Sequence, residues 1–317
     1  MRRKSVEDIV SGCAVLAALL EVSAYPKPGN VHRTRDLPDT KFEHFLAGAV
    51  AIEPTMRRLA QKGQKIQTSG VGWSDVRLGR HILEAVTDML SWQKGGNVNL
   101  GIILLQTPLA AAAGSVLGED GRSETEALRG SLKKLILSTT PDDAVDVYEA
   151  IRLAVPRRVL GSVDELDVLD NSAINRIRTK ELNLLDIFQI CAMRDSICRE
   201  WVTDFETTFK LGYPRLKSAV ENLKDINIAV VDTFIYLLSE NPDSLIIRKS
   251  GAERALEVSE KAKAVLSAGG GTTEQGRQLL QDLDDELSDE GGNLNPGTTA
   301  DLTAASIFVL LLEGWRP

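Results

Sequence analysis

The chain has 317 residues, of which 43% are hydrophobic and 26% charged, a composition that supports one large core in a globular protein. Its net charge of −8 argues against general binding to nucleic acid or a membrane surface, and an aromatic content of 5% argues against a base-stacking platform. The sequence lacks an apolar run of about 18 residues, so no membrane span is expected.

The first half of the chain has a helical period. Apolar residues recur at intervals of three and four from Val6 to Leu20, which predicts a helix that Pro26 and Pro28 end. Further helices are predicted from Phe42, over Val76–Trp92, over Gly101–Ala113 and from Pro141. The segment Gly101–Ala113 is apolar all round, which indicates a buried central helix, and Pro108 is expected to kink it.

The second half continues in the same way. One long helix is predicted over Glu181–Phe209, followed by helices over Ile226–Leu238, Ser250–Ala268, Glu274–Leu287 and Thr299–Leu312. No alternating strand pattern or hairpin signal is found. The sequence therefore predicts an all-α fold, with residues 1–317 forming a single compact domain and helix termini lining a nucleotide cleft.

The cysteines do not suggest a disulfide framework. Cys191 and Cys198 are seven residues apart on the long predicted helix, a rise of about 10 Å, which is too far for a bridge. A reducing compartment is expected. Arg2-Arg3-Lys4 precedes an apolar stretch, as in a signal peptide, but Glu7 and Asp8 interrupt it. We therefore expect a cytoplasmic protein.

Pro26–Arg33 is a stiff, polar corner after the first predicted helix. It carries Lys27 and Arg33 on either side of Gly29, and cations on a rigid turn suit a phosphate clamp. The alternative is a surface corner with solvated charges.

Asn295–Asp301 forms a second corner, ahead of the last predicted helix. Asn295 and the backbone at Gly297 would present polar groups at a helix N-terminus, where phosphate or carboxylate binds well. Asp301 lies three residues after Thr298, so the alternative is a capping box with Thr298 as the N-cap.

Asp195 falls on the apolar stripe of the long predicted helix. A carboxylate on a buried face is costly unless it is paired or binds a metal. One interpretation is a functional role. The other is a structural ion pair with an arginine of a neighbouring helix.

Two further segments add candidate ligand-binding residues, whereas an acidic segment near the C-terminal end of the sequence adds none. Asn97 and Asn99 enter the buried helix through a glycine-rich segment that matches neither a Walker A loop nor a Rossmann fingerprint. Arg248 and Lys249 directly precede a predicted helix, or else lie in a solvated loop. The acidic run at 282–290 is interpreted as a solvated helix face without EF-hand spacing.

In chain order these segments resemble the triphosphoribosyl-dephospho-CoA synthases, and in particular an archaeal branch of that family, over residues 6–313. The resemblance is carried by a helix ending in Glu21, Pro26–Arg33, Asn97–Gly101, the helix with Asp195, Asp243–Lys249 and Asn295–Asp301.

The resemblance implies an all-helical fold and a transferase. The triphosphoribosyl group of ATP would pass to the 2′-hydroxyl of 3′-dephospho-CoA, with release of adenine and with Mg²⁺ accompanying ATP. It implies catalytic or Mg²⁺-binding roles for Glu21, Asp195 and Asp301. It implies nucleotide binding by Lys27, Gly29, Arg33, Asn97, Asn99, Arg248, Lys249, Asn295 and Gly297.

The chain departs from the bacterial pattern of this family. Asn30 and His32 stand where bacterial members have Leu and Asp, and Asn97–Gly101 lacks their His and Lys. Two hypotheses therefore stay open, a triphosphoribosyl transferase whose acceptor is dephospho-CoA or another alcohol, and a regulatory nucleotide-binding protein without turnover. A homodimer is left open.

Overall fold

The computed structural model describes residues 4–118, 121–155, 167–168 and 170–317, and these are almost entirely helices and their connections. Arg2 and Arg3 lie outside these ranges. In the described ranges the extended pairings are two isolated bridges, His32–Arg35 and Leu37–Thr40. None of the described helices has both the length and the hydropathy that a bilayer span requires. The all-α prediction is confirmed.

The helices are numbered here in chain order. The first half contains α1 (Val6–Ser23), α2 (Phe42–Ala51), α3 (Glu53–Ser69), α4 (Leu78–Trp92), α5 (Leu100–Val116), α6 (Thr125–Leu137) and α7 (Pro141–Ala154). The second half contains α8 (Asn171–Thr179), α9 (Leu184–Cys191), α10 (Ser196–Val202), α11 (Tyr213–Leu223), α12 (Ile226–Glu240), α13 (Ser244–Ser250), α14 (Ala252–Ser267), α15 (Glu274–Asp289) and α16 (Gly297–Glu313).

Helices α5 and α16 form the centre of the core. Every residue of α5 from Ile102 to Ser115 is buried, and α16 is buried from Leu302 to Leu312, as expected for helices that are apolar all round. α5 continues through Pro108. It packs closely on α3, where a Cβ on Gly114 would lie 2.1 Å from the Ala60 carbonyl oxygen. α16 packs against both α1 and α5.

The prediction of one helix over Glu181–Phe209 is wrong. α9 ends at Cys191, whose carbonyl oxygen accepts from the amides of Arg194 at 2.8 Å and Asp195 at 3.0 Å. Asp195 then acts as the N-cap of α10, because its Oδ1 accepts from the Ile197 amide at 2.8 Å. Aspartate competes well for free amides at a helix start, so the helix breaks there although the apolar stripe continues.

This break also overturns the expectation that Cys191 and Cys198 are too far apart to form a disulfide. The chain turns between α9 and α10, which brings the Cα atoms of Cys191 and Cys198 to 5.9 Å, and their sulfurs form a disulfide. The predicted separation assumed a continuous helix. Cys13 is a free thiol buried in α1.

Candidate active site

A cavity of about 1260 Å³ opens where several helices begin. Its walls include the first turns of α5, α10 and α16, together with α13, the end of α1 and parts of α7 and α9. Helix N-termini present free amides and a partial positive charge. The cavity is therefore suited to a ligand that carries negative charge.

Asp243 fixes α13 against α16. Its Oδ1 caps α13 by accepting from the Leu245 amide at 2.8 Å, and its Oδ2 accepts from the Thr299 amide and hydroxyl, each at 2.7 Å. Burial raises the pKa of this carboxyl. One buried side chain thus holds two helix starts together at the wall of the cavity.

Two hydroxyl groups extend this connection to α10. The Ser196 amide donates to Ser244 Oγ at 3.2 Å, and that hydroxyl donates to Thr298 Oγ1 at 3.0 Å. The alternative of a capping box with Thr298 as N-cap is wrong, because α16 begins at Gly297 and its N-cap is Pro296. Thr298 instead ties α16 to α13.

Glu21 and Lys27 form a buried ion pair at the floor of the cavity. Their side chains are 2% and 1% exposed, and Lys27 Nζ also donates to the Glu21 carbonyl oxygen at 2.9 Å. Burial raises the pKa of Glu21, and the charge of Lys27 partly offsets this effect. The pair links the end of α1 to the Pro26–Arg33 corner, as a buried charge requires a partner.

Asp301 lies opposite the start of α5. Burial raises its pKa well above the usual range, with further contributions from the nearby charges of Glu21, Asp243 and Asp195, while a hydrogen bond from the Ile102 amide acts in the other direction. The structure thus brings the three carboxylates predicted from the sequence, Glu21, Asp195 and Asp301, to one cavity.

Arg248 and Lys249 supply cations to the same wall. They occupy the last turn of α13 and directly precede α14, as predicted, whereas the alternative that they lie in a solvated loop is wrong. Arg248 Nη1 lies 3.3 Å from Asp195 Oδ2, and both side chains are partly exposed. Lys249 Nζ donates to the Gly292 carbonyl oxygen at 2.9 Å. Partial desolvation of the ammonium group lowers the pKa of Lys249, although the residue as a whole is exposed, and the nearby charge of Arg248 adds to this effect.

Asn97, Asn295 and Gly297 also line the cavity. Asn97 Oδ1 accepts from the Leu100 amide at 3.1 Å and so caps the start of α5. The buried Oδ1 of Asn295 has no hydrogen-bond partner in the described part of the chain. An unpaired buried acceptor is costly, so Asn295 is a group that a bound ligand could satisfy.

Three predicted binding residues do not line the cavity in the described structure. Arg33 stacks 4.7 Å from the centre of the Tyr25 ring and donates to Asn227 Oδ1 at 2.9 Å. Asn99 is buried beside Gly48 of α2. Gly29 has φ +71°, and a Cβ there would lie 2.9 Å from Leu287 Cβ. These residues shape the segments that carry Lys27 and Asn97.

Asp284 was not singled out from the sequence, yet it anchors the Pro26–Arg33 corner. It is 1% exposed, and it accepts from the Gly29 amide at 3.2 Å and lies 3.2 Å from His32 Nε2 and 3.3 Å from Arg35 Nε. The prediction that the whole acidic run is solvated is therefore wrong at this position. Its spacing of four from the buried Leu280 was the available signal.

The sequence interpretation also missed an apolar side of the cavity. It is formed by α7 and α9, and its residues include Val147, Ile151, Ile187, Phe188 and Ile190. The cavity thus has a charged side near α13 and α16 and an apolar side near α7 and α9. Such a division fits a ligand with both anionic and apolar parts.

The carboxylates do not form a ready-made metal site. Among the residues that the structure describes, no group of three or more His, Cys, Asp or Glu side chains is placed to hold a metal ion. A divalent cation that arrives with phosphates needs only one or two protein carboxylates, because it keeps water and phosphate oxygens. Asp301 and Asp195 can provide that number.

Fold and cavity define an all-helical protein with a ligand site made from helix starts. The family model described as ATP:dephospho-CoA triphosphoribosyl transferase matches residues 7–317. The chain belongs to this family.

Similar proteins support the assignment. The 2-(5″-triphosphoribosyl)-3′-dephosphocoenzyme-A synthase of Klebsiella pneumoniae is 26% identical over 313 residues, covering 96% of this chain and 91% of its own. A Salmonella typhimurium protein of the same synthase name is 25% identical, covering 95% and 89%. A crystal structure described as a triphosphoribosyl-dephospho-CoA synthase from Archaeoglobus fulgidus aligns with a TM-score of 0.63 and 29% identity, over 87% of this chain and all of that one.

Proposed function

We propose that the protein transfers the 5-triphosphoribosyl group of ATP to the 2′-hydroxyl of 3′-dephospho-CoA and releases adenine. Family membership supports this reaction. The observation that carries it in this chain is the convergence of Glu21, Asp195 and Asp301 with Arg248 and Lys249 in one cavity made of helix starts.

The charged side of the cavity suits a triphosphate. Arg248 and Lys249 offer positive charge, and the starts of α5 and α16 add the partial positive charge of helix N-termini. Partial desolvation and the charge of Arg248 lower the pKa of Lys249, and an anion beside the ammonium group would favour its charged form. Triphosphate binding and Lys249 protonation therefore support each other.

Mg²⁺ fits this site as the partner of ATP. It would neutralise charge on the phosphates and take one or two carboxylate ligands from the protein. Asp301 is the first candidate, because its carboxyl is buried near the carboxyls of Glu21, Asp243 and Asp195, and a cation among them would relieve their repulsion. Asp195 is the second candidate. Its Oδ1 caps α10, so its Oδ2, on the side of Arg248, is the oxygen that a cation could approach.

The carboxylates also suit the chemistry at the ribose. Loss of adenine creates oxocarbenium character at the anomeric carbon, which a nearby carboxylate stabilises. The attacking hydroxyl must lose a proton, and a second carboxylate can accept it. Glu21, Asp195 and Asp301 are the candidates for these two roles. The apolar side near α7 and α9 would receive the uncharged arm of dephospho-CoA.

Adenine release tests the proposal directly. Purified protein with Mg²⁺, ATP and 3′-dephospho-CoA should yield free adenine and a product in which the triphosphoribosyl group is attached to the acceptor, both measured by mass spectrometry. Coenzyme A is the matched control acceptor, because its 3′-phosphate adjoins the reacting hydroxyl, and it should react far more slowly. ATP binding without release of its adenine in the presence of any acceptor would contradict transfer and support the nucleotide-binding regulatory alternative. Cytoplasmic location and a homodimer stay predictions.

A further inference from the structure

The Cys191–Cys198 disulfide faces the candidate active site. Both half-cystines line the same cavity as Asp195 and Arg248. The bridge closes the turn between α9 and α10, and Asp195 is in that turn. A disulfide in the wall of a ligand cavity is exposed to the chemistry of the ligand.

The two half-cystine residues differ in accessibility. Cys198 is 8% exposed, whereas Cys191 is partly exposed. Between them Met193 is 94% exposed and Arg194 lines the cavity, so no described protein layer covers the turn. A thiol that enters the cavity can therefore approach Cys191 more easily than Cys198.

The proposed acceptor brings such a thiol. Dephospho-CoA reacts through a ribose hydroxyl at one end, and its flexible, uncharged arm ends in a thiol at the other. The apolar residues Ile187, Phe188 and Ile190 of α9 lead along the cavity to Cys191. A ligand whose hydroxyl end is bound near Glu21 and Asp301 would hold its thiol end inside the same cavity.

We propose that the Cys191–Cys198 disulfide is a thiol-exchange site for a thiol-ended ligand bound in this cavity. This inference rests on the proposed function for the identity of that ligand. The ligand thiolate attacks Cys191 Sγ, a new S–S bond forms between ligand and Cys191, and the Cys191–Cys198 bond breaks. Cys198 leaves as a thiolate and takes up a proton from water. One disulfide replaces another, so no external oxidant or reductant is needed.

Exchange would change the site as well as the ligand. The bridge ties the end of α9 to the first turn of α10, and its opening removes the covalent constraint on the turn that holds Asp195 beside Arg248. Exchange would thus couple the state of the ligand's thiol to the position of a carboxylate in the proposed nucleotide site.

The test is mass spectrometry of the intact oxidised protein, denatured in acid without reductant after incubation with equimolar thiols. Dephospho-CoA should add its mass to Cys191 at least about tenfold faster than glutathione at the same micromolar concentration, because binding raises the local thiol concentration toward the millimolar range. S-methyl dephospho-CoA should give no adduct. Cys198→Ser should trap one dephospho-CoA on Cys191 from the symmetric dephospho-CoA disulfide, and Cys13→Ser should behave as the unsubstituted protein.

Adenine release from ATP with S-methyl dephospho-CoA as the acceptor, measured in parallel, separates this inference from the proposed function. Adenine release without an adduct from dephospho-CoA would overturn the inference and leave the function standing. An adduct without adenine release would support the inference and contradict the function. Equal rates with glutathione would show that the bridge reacts like an ordinary exposed disulfide. An adduct on Cys13 would show that a different thiol reacts. Either result would also overturn the inference.

Discussion

Asp301 is surrounded in a way that favours its uncharged form. Burial raises its pKa well above the usual range, and the charges of Glu21, Asp243 and Asp195 raise it further. In the unfolded chain the same carboxyl ionises near pH 4. Between that pH and the higher folded pKa, the folded state holds one proton more than the unfolded state, so stability falls as pH rises through this window.

Asp301→Asn should remove that pH dependence. The substituted protein should melt higher than the unsubstituted protein at pH 7, by roughly 2 °C for each kcal/mol gained in a chain of this size, while adenine release is lost. Thermal melts from pH 4 to 8 measure the first effect. Asp289→Asn, on the exposed face of α15, is the control and should leave the profile unchanged. A melting temperature lowered at pH 7 by Asp301→Asn would contradict this account.

Asp195 is placed differently from the sequence prediction, and the expected effect of its substitution changes accordingly. Asparagine is as good an N-cap as aspartate, and the Arg248 partner is 40% exposed, so the pair contributes about 1 kcal/mol or less. Asp195→Asn should therefore leave the melting temperature nearly unchanged. It should weaken ATP binding or turnover at least tenfold, about 1.4 kcal/mol.

Asp170 offers a matched control for this change. It is the N-cap of α8 and pairs with Arg176 at 2.6 Å, but it is outside the described cavity lining. Asp170→Asn should change neither the melting temperature nor ATP binding beyond error. A large stability loss in Asp195→Asn, with ATP titrations unaffected, would assign Asp195 a purely structural role.

At the scale of single elements, the start of α5 is fitted to Asp301. A Cβ added to Gly101 would lie 1.9 Å from Asp301 Oδ2, so glycine at this position allows the helix start to approach the carboxylate. Gly101→Ala should cost about 1–3 kcal/mol through overpacking, more than the roughly 1 kcal/mol that alanine gains in helix propensity. It should also abolish adenine release.

Gly12 in α1 is the matched control, because a Cβ there would meet nothing within 4 Å. Gly12→Ala should stabilise the protein by about 0.5–1 kcal/mol and leave turnover intact. Chemical denaturation of both variants measures the difference. Similar stabilisation by the two substitutions would show that α5 and Asp301 are not in close contact.

At the scale of the whole molecule, the site is assembled from helices far apart in sequence, and a ligand that bridges them should stabilise the fold. MgATP at about 100 times its dissociation constant should add about 2.7 kcal/mol to the free energy of unfolding. The measurement is a thermal melt over a series of MgATP concentrations, with AMP as the control that lacks the two outer phosphates. The absence of any shift at millimolar MgATP would contradict nucleotide binding in this cavity.

The sequence was sufficient for the helical class and for most of the cavity carboxylates and cations. Long apolar periods, as in α1, α5 and α12, depend only on neighbours along the chain. The break before α10 could not be read from periodicity, because the apolar stripe continues across it. Only the local preference of Asp195 for a helix start indicates the turn.

The direction of individual side chains could not be predicted from the sequence either. Arg33 is near Lys27 in sequence, and Asn99 is near Asn97, yet one member of each pair lines the cavity and the other does not. Tertiary packing decides this, through Tyr25 for Arg33 and through α2 for Asn99. The disulfide was missed for the same reason, since its geometry depends on a turn that brings two helix ends together.

The packing of α1 against α16 has a consequence for synthesis of the protein. Glu21 is in the last turns of α1, and Asp301 is in the first turns of α16, so the carboxylates on one cavity floor come from opposite ends of the described chain. The ribosome synthesises α2 to α15 after the helix that carries Glu21 and before the helix that carries Asp301. A nascent chain therefore lacks the proposed set of carboxylates until α16 has been synthesised.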